Sequence, residues 1–288
     1  MISFIQAIIL GLIQGATELF PISSLGHSVI IPKLLGWNIH QNDSFFLTFL
    51  VATHLATAIV LFIFFWAEWR KILAGLGRSF MAREVKSDDT YAKLGWLLVI
   101  GTVPAGILGV LFQDHLRTLF NSAETAAVFL IINGFILLGA ERLRRSHLNT
   151  VSQTGEQSDK HIAKLRWPSA VFVGSAQAAA LLPGISRSGS SMAGSLLAGL
   201  DNEAAARFSF LLATPVIGAA ALLKIPELFS SSAANLRGPA LVGALCAGLT
   251  AYLSVKFLVR YFRTNNLRPF GVYCLAGGLA SLAYLALR

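Results

Sequence analysis

Seven residues in the second half of the chain have the composition of an anion-binding loop, Pro183-Gly-Ile-Ser-Arg-Ser-Gly189. Gly184 and Gly189 allow the backbone to turn its N–H groups inward, and the helix expected to follow offers its positive end. Arg187 adds a planar fork of donors that matches phosphate oxygens two at a time. The pattern therefore predicts a phosphate-like ligand, whereas the alternative use of such a turn is merely to cap a helix.

A second set of reactive residues lies near the start of the chain, within Gln14-Gly-Ala-Thr-Glu-Leu-Phe-Pro-Ile-Ser-Ser-Leu-Gly-His27. Ser24 and His27 are three residues apart, so they share one face of a predicted helix and the imidazole can take the hydroxyl proton. We expect Glu18 to hold the other ring nitrogen, which completes a nucleophile, a base and an orienting group. His27 as the direct nucleophile and attack by water are open alternatives. His54 is interpreted as an ordinary hydrogen-bonded core histidine.

The whole chain is too apolar for a water-soluble fold. Of its 288 residues, 55% are hydrophobic and 13% are charged, and the mean hydropathy is +0.66. A bilayer accepts such a surface, and so hydrophobic a chain is not disordered. The net charge of +9 lies in short connectors between apolar runs rather than in a stripe, which is typical of membrane-protein loops and argues against a nucleic-acid partner.

Six stretches without Asp, Glu, Lys or Arg approach the roughly 20 residues that a helix needs to cross the hydrocarbon. They lie near 44–66, 94–112, 125–140, 208–223, 238–255 and 269–287. Two further apolar stretches, 2–20 and 167–200, are interrupted by polar residues and followed or broken by proline, so we expect each to be a re-entrant helix pair. The predicted fold is an all-α integral membrane protein with six transmembrane helices and two re-entrant helix pairs.

The two interrupted stretches are related by an internal repeat, because Gln14 and Gln177 are 163 residues apart, as are Ser23 and Ser186. Each repeat has three spans, an odd number, so the second copy is expected to be inverted, as in many transporters. Chance similarity among helices rich in Gly, Ala and Leu is the alternative. We expect a single membrane domain, 1–288, with repeat one at about 1–141, repeat two at about 166–288 and a cytoplasmic connector at 142–165.

The distribution of basic residues predicts the orientation. The connectors 67–93, 141–166 and 256–268 hold sixteen Lys and Arg residues, whereas the intervening connectors hold four. The positive-inside rule therefore places the first set in the cytoplasm and both termini outside.

Glu18 and Arg187 are charged residues at the predicted membrane depth, where an unpaired charge costs a few kcal/mol or more. Each therefore needs a partner and is a functional candidate. A Glu–Arg pair that only locks the two halves together is the alternative, and the many polar neighbours argue against it. The expected substrate-binding residues are Gln14, Ser23, Gln177, Ser186, Ser188, Gly189 and Ser191.

These segments resemble those of the undecaprenyl-diphosphate phosphatase family, the membrane enzymes associated with bacitracin resistance. Gly101-Thr-Val-Pro-Ala-Gly106 and Arg207-Phe-Ser-Phe-Leu-Leu-Ala213 add to the resemblance, which runs over nearly the whole chain. Gln14 stands where many members have a second acid. The family's catalytic and phosphate-binding residues correspond to Glu18, Ser24, His27, Ser186, Arg187 and Ser188.

The resemblance implies hydrolysis of undecaprenyl diphosphate to the monophosphate carrier lipid of cell-wall synthesis, at a site facing the outside of the cytoplasmic membrane. It also implies a divalent cation, Mg²⁺ or Ca²⁺, without placing its ligands. The expected partners are the lipid diphosphate and membrane lipid, and a homodimer stays open. A polyprenyl-phosphate transporter or flippase that uses the same anion site is the alternative, and it requires no nucleophile with a base.

Overall fold

The computed structural model of the chain describes residues 2–37, 39, 44–112, 122–144, 155–228 and 236–287, with the backbone only for 44, 45 and 222–228. All regular structure within these ranges is helical, which confirms the all-α prediction. Residues 145–154 of the predicted connector 142–165 lie outside the described residues.

Twelve helices occur in the described ranges. They are α1 (Phe4–Leu19), α2 (Ser24–Leu34), α3 (Ser44–Phe64), α4 (Trp66–Ala82), α5 (Thr90–Leu111), α6 (Ala123–Arg144), α7 (Gly155–Ala163), α8 (Trp167–Ala178), α9 (Arg187–Leu197), α10 (Asn202–Leu228), α11 (Arg237–Tyr261) and α12 (Arg268–Ala286). Six of these helices, α3, α5, α6, α10, α11 and α12, are long and apolar enough to cross a membrane. They coincide with the six predicted spans, so the protein is a multi-pass membrane protein.

The first predicted interruption is a short break between α1 and α2. Pro21 restricts the residue before it, and Phe20 accordingly leaves the helix with φ −64° and ψ 138°. Ser23 caps α2 by accepting the N–H of Gly26 at 3.1 Å. The φ of Ser23 is +70°, a region that side chains with a Cβ rarely adopt, so this tight break is a strained connection.

The second predicted interruption, between α8 and α9, is longer. A 3₁₀ turn over Ala179–Leu181 follows α8, and Gly184 then adopts a φ of +110° that suits glycine. Ser186 caps α9 by accepting the N–H of Gly189 at 3.1 Å. A helix–break–helix arrangement is therefore present within 167–200, whereas 2–20 forms one helix and its break and second helix lie beyond residue 20. Membrane re-entry and the inversion of the two halves stay predictions.

The spans enclose both broken segments. Helix α1 packs along α11, α2 packs between α1 and α6, and α9 is surrounded by α6, α8 and α10. Gly11 and Gly15 of α1 lie directly against backbone carbonyls of Gly243 and Ala247 in α11, where a Cβ would overlap. This contact brings the end of α1, and with it the first break, close to the centre of the bundle.

Candidate active site

Asn133 in the middle of α6 holds the two breaks side by side. Its Nδ2 donates to the carbonyl oxygen of Pro21 in the first break at 3.0 Å, and its Oδ1 accepts the N–H of Ser186 in the second at 3.1 Å. Two hydroxyl groups also form hydrogen bonds between the segments: Ser23 donates to the Ile185 carbonyl and Ser188 donates to the Phe20 carbonyl. Because Asn133 is fully buried, these contacts fix the two helix starts relative to each other.

The carboxylate of Glu18, in the last turn of α1, is the centre of the polar cluster. Its Oε2 accepts the Ser24 hydroxyl at 2.6 Å and the side-chain amide of Gln14 at 3.0 Å. Its Oε1 accepts Nε and Nη2 of Arg187, both at 3.3 Å. Glu18 and Arg187 thus pair with each other, an arrangement that was expected from the sequence only as the alternative. The carboxylate joins a hydroxyl from the first break to a guanidinium from the second.

The predicted contact between Glu18 and His27 is wrong. The Nδ1 of His27 lies 2.6 Å from the backbone oxygen of Ser23, and its Nε2 lies 2.8 Å from the hydroxyl of Tyr273 in α12. The imidazole also stacks on the Tyr273 ring, with centroids 5.8 Å apart. Since α2 begins at Ser24, residue 27 lies one turn further along and its side chain is directed toward α12 rather than α1.

His54 of α3 occupies the place expected for His27. Its Nε2 lies 3.3 Å from Glu18 Oε2, while its Nδ1 lies 2.7 Å from the backbone oxygen of Leu50. The interpretation of His54 as an ordinary core histidine is therefore wrong, although its hydrogen bond to the preceding turn is present. The sequence around His54 gives no sign of this contact, because His54 lies among apolar residues and its partner Glu18 is 36 residues away in another helix.

A cavity of about 590 Å³ opens beside this cluster. Six of the predicted site residues line it together with His54: Glu18, Ser23, Ser24, Gln177, Ser186 and Arg187. The walls are formed by small and apolar residues of α5 and α10: Thr102, Ala105, Gly106, Gly109, Val110, Val216, Ala219 and Ala220. A polar floor with apolar walls suits a ligand that has an anionic head and an apolar chain.

The other predicted binding residues lie behind the cavity wall. The Ser191 hydroxyl donates to the Arg187 carbonyl at 2.8 Å and lies 2.6 Å from the Ser209 hydroxyl, so it helps to fix the first turn of α9. Ser188 lies 3.0 Å from Ser186 Oγ, in addition to its bond across to the first break. Gly189 donates its N–H to the capping hydroxyl of Ser186, and Gln14 donates its side-chain amide to Glu18. These residues support those that line the cavity.

The described residues do not form a protein site for the expected Mg²⁺ or Ca²⁺. Their His, Cys, Asp and Glu side chains include no group of three or more that could hold a metal ion. Glu18, the carboxylate in the cavity, is already bonded to Ser24 and Arg187, and an amide at Gln14 is a weaker cation ligand than a second acid.

Comparison with known proteins gives consistent matches over nearly the whole length. A family model described as bacitracin resistance protein BacA matches residues 7–280. An undecaprenyl-diphosphatase of Mycolicibacterium paratuberculosis is 43% identical over 303 residues, which covers 100% of this chain and 99% of that protein. Undecaprenyl-diphosphatases of Granulibacter bethesdensis and Acidiphilium cryptum are 44% and 45% identical, and each comparison covers at least 96% of both chains.

Proposed function

The chain belongs to the bacitracin resistance protein BacA family, and on that premise we propose that it hydrolyses undecaprenyl diphosphate to undecaprenyl phosphate and inorganic phosphate. The product is the carrier lipid of cell-wall synthesis, and its recycling would confer bacitracin resistance. The observation that carries the proposal is the Glu18 carboxylate, which contacts the Ser24 hydroxyl on one side and the Arg187 guanidinium on the other.

In the proposed reaction, Ser24 attacks the terminal phosphorus. As its Oγ forms the new P–O bond, its proton passes to Glu18 Oε2, the oxygen that the hydroxyl already contacts at 2.6 Å. The bond between that phosphorus and the bridging oxygen breaks, and undecaprenyl phosphate leaves. Water then attacks the phosphoserine and releases inorganic phosphate, and Ser24 regains a proton. In this assignment Glu18, rather than His27, is the base for Ser24.

Arg187 and the start of α9 are placed to stabilise charge on the transferred phosphoryl group. Two guanidinium nitrogens of Arg187 contact Glu18, and Nη1 lies 3.4 Å from the Ser209 carbonyl, which leaves two of its five N–H donors for phosphate oxygens. Ser186 lines the cavity at the positive end of the same helix. Phosphoryl transfer depends mainly on such positioning and electrostatics.

Hydrolysis is favoured over transport by the same contacts. A lipid-phosphate transporter or flippase needs anion donors, which Arg187 and Ser186 provide, but it needs no hydroxyl held against a buried carboxylate. The relatives described above are named as diphosphatases, which agrees with the catalytic interpretation. We therefore assign the Ser24–Glu18 pair to chemistry and the α9 start to binding.

The orientation in the membrane is proposed from the distribution of basic residues. We propose that the protein lies in the bacterial cytoplasmic membrane with both termini and the active site outside, as the sixteen-to-four distribution of Lys and Arg indicates. A cysteine in place of the exposed Ser87 should then resist an impermeant thiol reagent in intact cells, whereas one in place of Lys33 should be labelled. Assembly as a homodimer stays a prediction.

No step is assigned to a metal ion, because the described residues offer no metal-binding group. A requirement for Mg²⁺ or Ca²⁺ stays a prediction from the family. Phosphate release in EDTA, and after Mg²⁺ or Ca²⁺ is restored, measures it directly.

The decisive test is phosphate release from undecaprenyl diphosphate by the purified protein in detergent. If Ser24 attacks with Glu18 as its base, Ser24→Ala should abolish turnover, and adding Glu18→Gln should make it little worse, because residues that act as a unit are strongly non-additive. Substantial turnover by a folded Ser24→Ala variant would assign the attack to water or to His27. A phosphoenzyme trapped in that variant would identify His27 itself.

A further inference from the structure

The imidazole of His54 lies between two acceptors. Its Nδ1 is 2.7 Å from the Leu50 carbonyl oxygen, and its Nε2 is 3.3 Å from Glu18 Oε2. A neutral imidazole carries one N–H, so it would direct an unshared electron pair at one of these oxygens. Both contacts are favourable when the ring carries a proton on each nitrogen.

The neighbours of Glu18 place that second proton on the histidine. The carboxylate accepts from Ser24 and Gln14 at Oε2 and twice from Arg187 at Oε1. Four donors directed at two oxygens stabilise the ionised form of Glu18. Against an ionised Glu18, an imidazolium at His54 satisfies both ring contacts, and the His54 side chain is 19% exposed at the cavity.

His27 shows the opposite arrangement. Its Nδ1 faces the Ser23 carbonyl, an acceptor, but its Nε2 faces the Tyr273 hydroxyl, which is able to donate. A neutral His27 satisfies both contacts. Of these two histidines close to the first break, His54 is the one whose partners require a charge.

We propose that His54 is a positioning residue of the hydrolysis, which as an imidazolium fixes Glu18 Oε2 against the Ser24 hydroxyl. The inference rests on the proposed function. The charged groups that act on His54 are Glu18 from α1 and Arg187 from α9, and the cavity-lining residues of α5 and α10 include no titratable side chain. Loss of the imidazolium proton at alkaline pH should release the carboxylate and lower the rate.

Two substitutions separate positioning from packing. His54→Gln keeps an N–H donor near the position of Nε2 at every pH, whereas His54→Leu fills similar space with no donor. We expect His54→Leu to lower kcat on the order of 10²-fold, since a small misplacement of a reacting group has that effect, with little change in KM. His54→Gln should keep most of the rate and lose the alkaline decline of the unsubstituted protein.

The matched control is His161→Gln, because His161 pairs with Asp201 at 2.9 Å, away from the cavity, and its replacement should leave the pH profile unchanged. Phosphate release from undecaprenyl diphosphate is measured across pH for all four proteins. Unchanged kcat in His54→Leu, or an unchanged alkaline decline in His54→Gln, would overturn the role of His54 alone. If the unsubstituted and control proteins release no phosphate, the proposed hydrolysis itself fails. Should His54→Leu not fold, the pH profile of His54→Gln still decides.

Discussion

The two breaks have the same helix start but supply different chemistry. In both, a serine caps an eleven-residue helix by accepting an N–H three residues later, Ser23 for α2 and Ser186 for α9. The residue after each cap is Ser24 in the first break and Arg187 in the second, again 163 positions apart. Equivalent positions therefore present a hydroxyl from one half and a guanidinium from the other to the same carboxylate.

The difference between the breaks lies in their length and strain. The first leaves four residues between its helices, and Ser23 adopts a positive φ, so Ser24 returns to Glu18 of the helix just before it. The second includes a 3₁₀ turn and a glycine at positive φ, and Arg187 reaches across to the other segment. A tight break thus forms an acid–hydroxyl pair locally, whereas a loose one forms a contact between the halves.

The largest effect is expected from substitution of Arg187, the cation that the second break supplies. Arg187→Lys keeps the charge but loses the planar fork, so we expect turnover to fall on the order of 10²–10³-fold while the protein stays folded. Arg263→Lys is the matched control, because Arg263 is half exposed and pairs only loosely with Glu203 at 3.8 Å. Near-normal phosphate release by Arg187→Lys would remove the fork from the mechanism.

An intermediate effect is expected when the connection between the breaks is cut. Asn133→Leu leaves the Pro21 carbonyl and the Ser186 N–H without their present partner, and each buried unpaired group costs about 1–3 kcal/mol. Both the unfolding temperature in detergent and kcat should fall. Asn133→Asp keeps the acceptor for Ser186 but directs a second oxygen at the buried Pro21 carbonyl, so it should lower both quantities as well. If the unfolding temperature and kcat were unchanged in both variants, the two breaks would be held together without Asn133.

The smallest effect is expected at the far side of the first break. Tyr273→Phe removes one hydrogen bond from His27 Nε2 and keeps the stacked ring, so we expect it to lower the free energy of unfolding by about 1 kcal/mol and to leave kcat nearly unchanged. Chemical denaturation and phosphate release measure the two quantities. A fall in kcat as deep as that of Ser24→Ala would instead restore His27 to the proton transfer.

Much of the framework could be predicted from the sequence because it depends on local composition. The six spans follow from uninterrupted apolar runs, and the two breaks follow from proline, glycine and serine within them. The need of Glu18 and Arg187 for partners was predictable as well, because an unpaired charge at membrane depth is costly, although their pairing with each other was only the alternative. These features require no knowledge of how the helices pack.

The missed contacts depend on packing between distant segments. Asn133, His54 and Tyr273 each reach the first break from a different span, and each looks like an isolated polar residue in an apolar helix. The spacing of three between Ser24 and His27 indicated a shared helical face, but it could not show which neighbouring helix that face meets. Which residue acts as the base for Ser24 depends on which neighbouring helix each side chain faces, and that cannot be inferred from a single sequence.

The close backbone contact of α1 with α11 has a consequence for biogenesis. Helix α1, which contains Gln14 and Glu18, is synthesised before its partner α11, and it contacts the backbone of Arg237–Tyr261 more than two hundred residues later in the chain. Long-range contacts of this kind form late in folding, because the intervening chain must be present first. The Ser24–Glu18 pair, although local in sequence, is therefore seated in the bundle only after most of the protein has been synthesised, and a nascent chain stopped before α11 has no completed site.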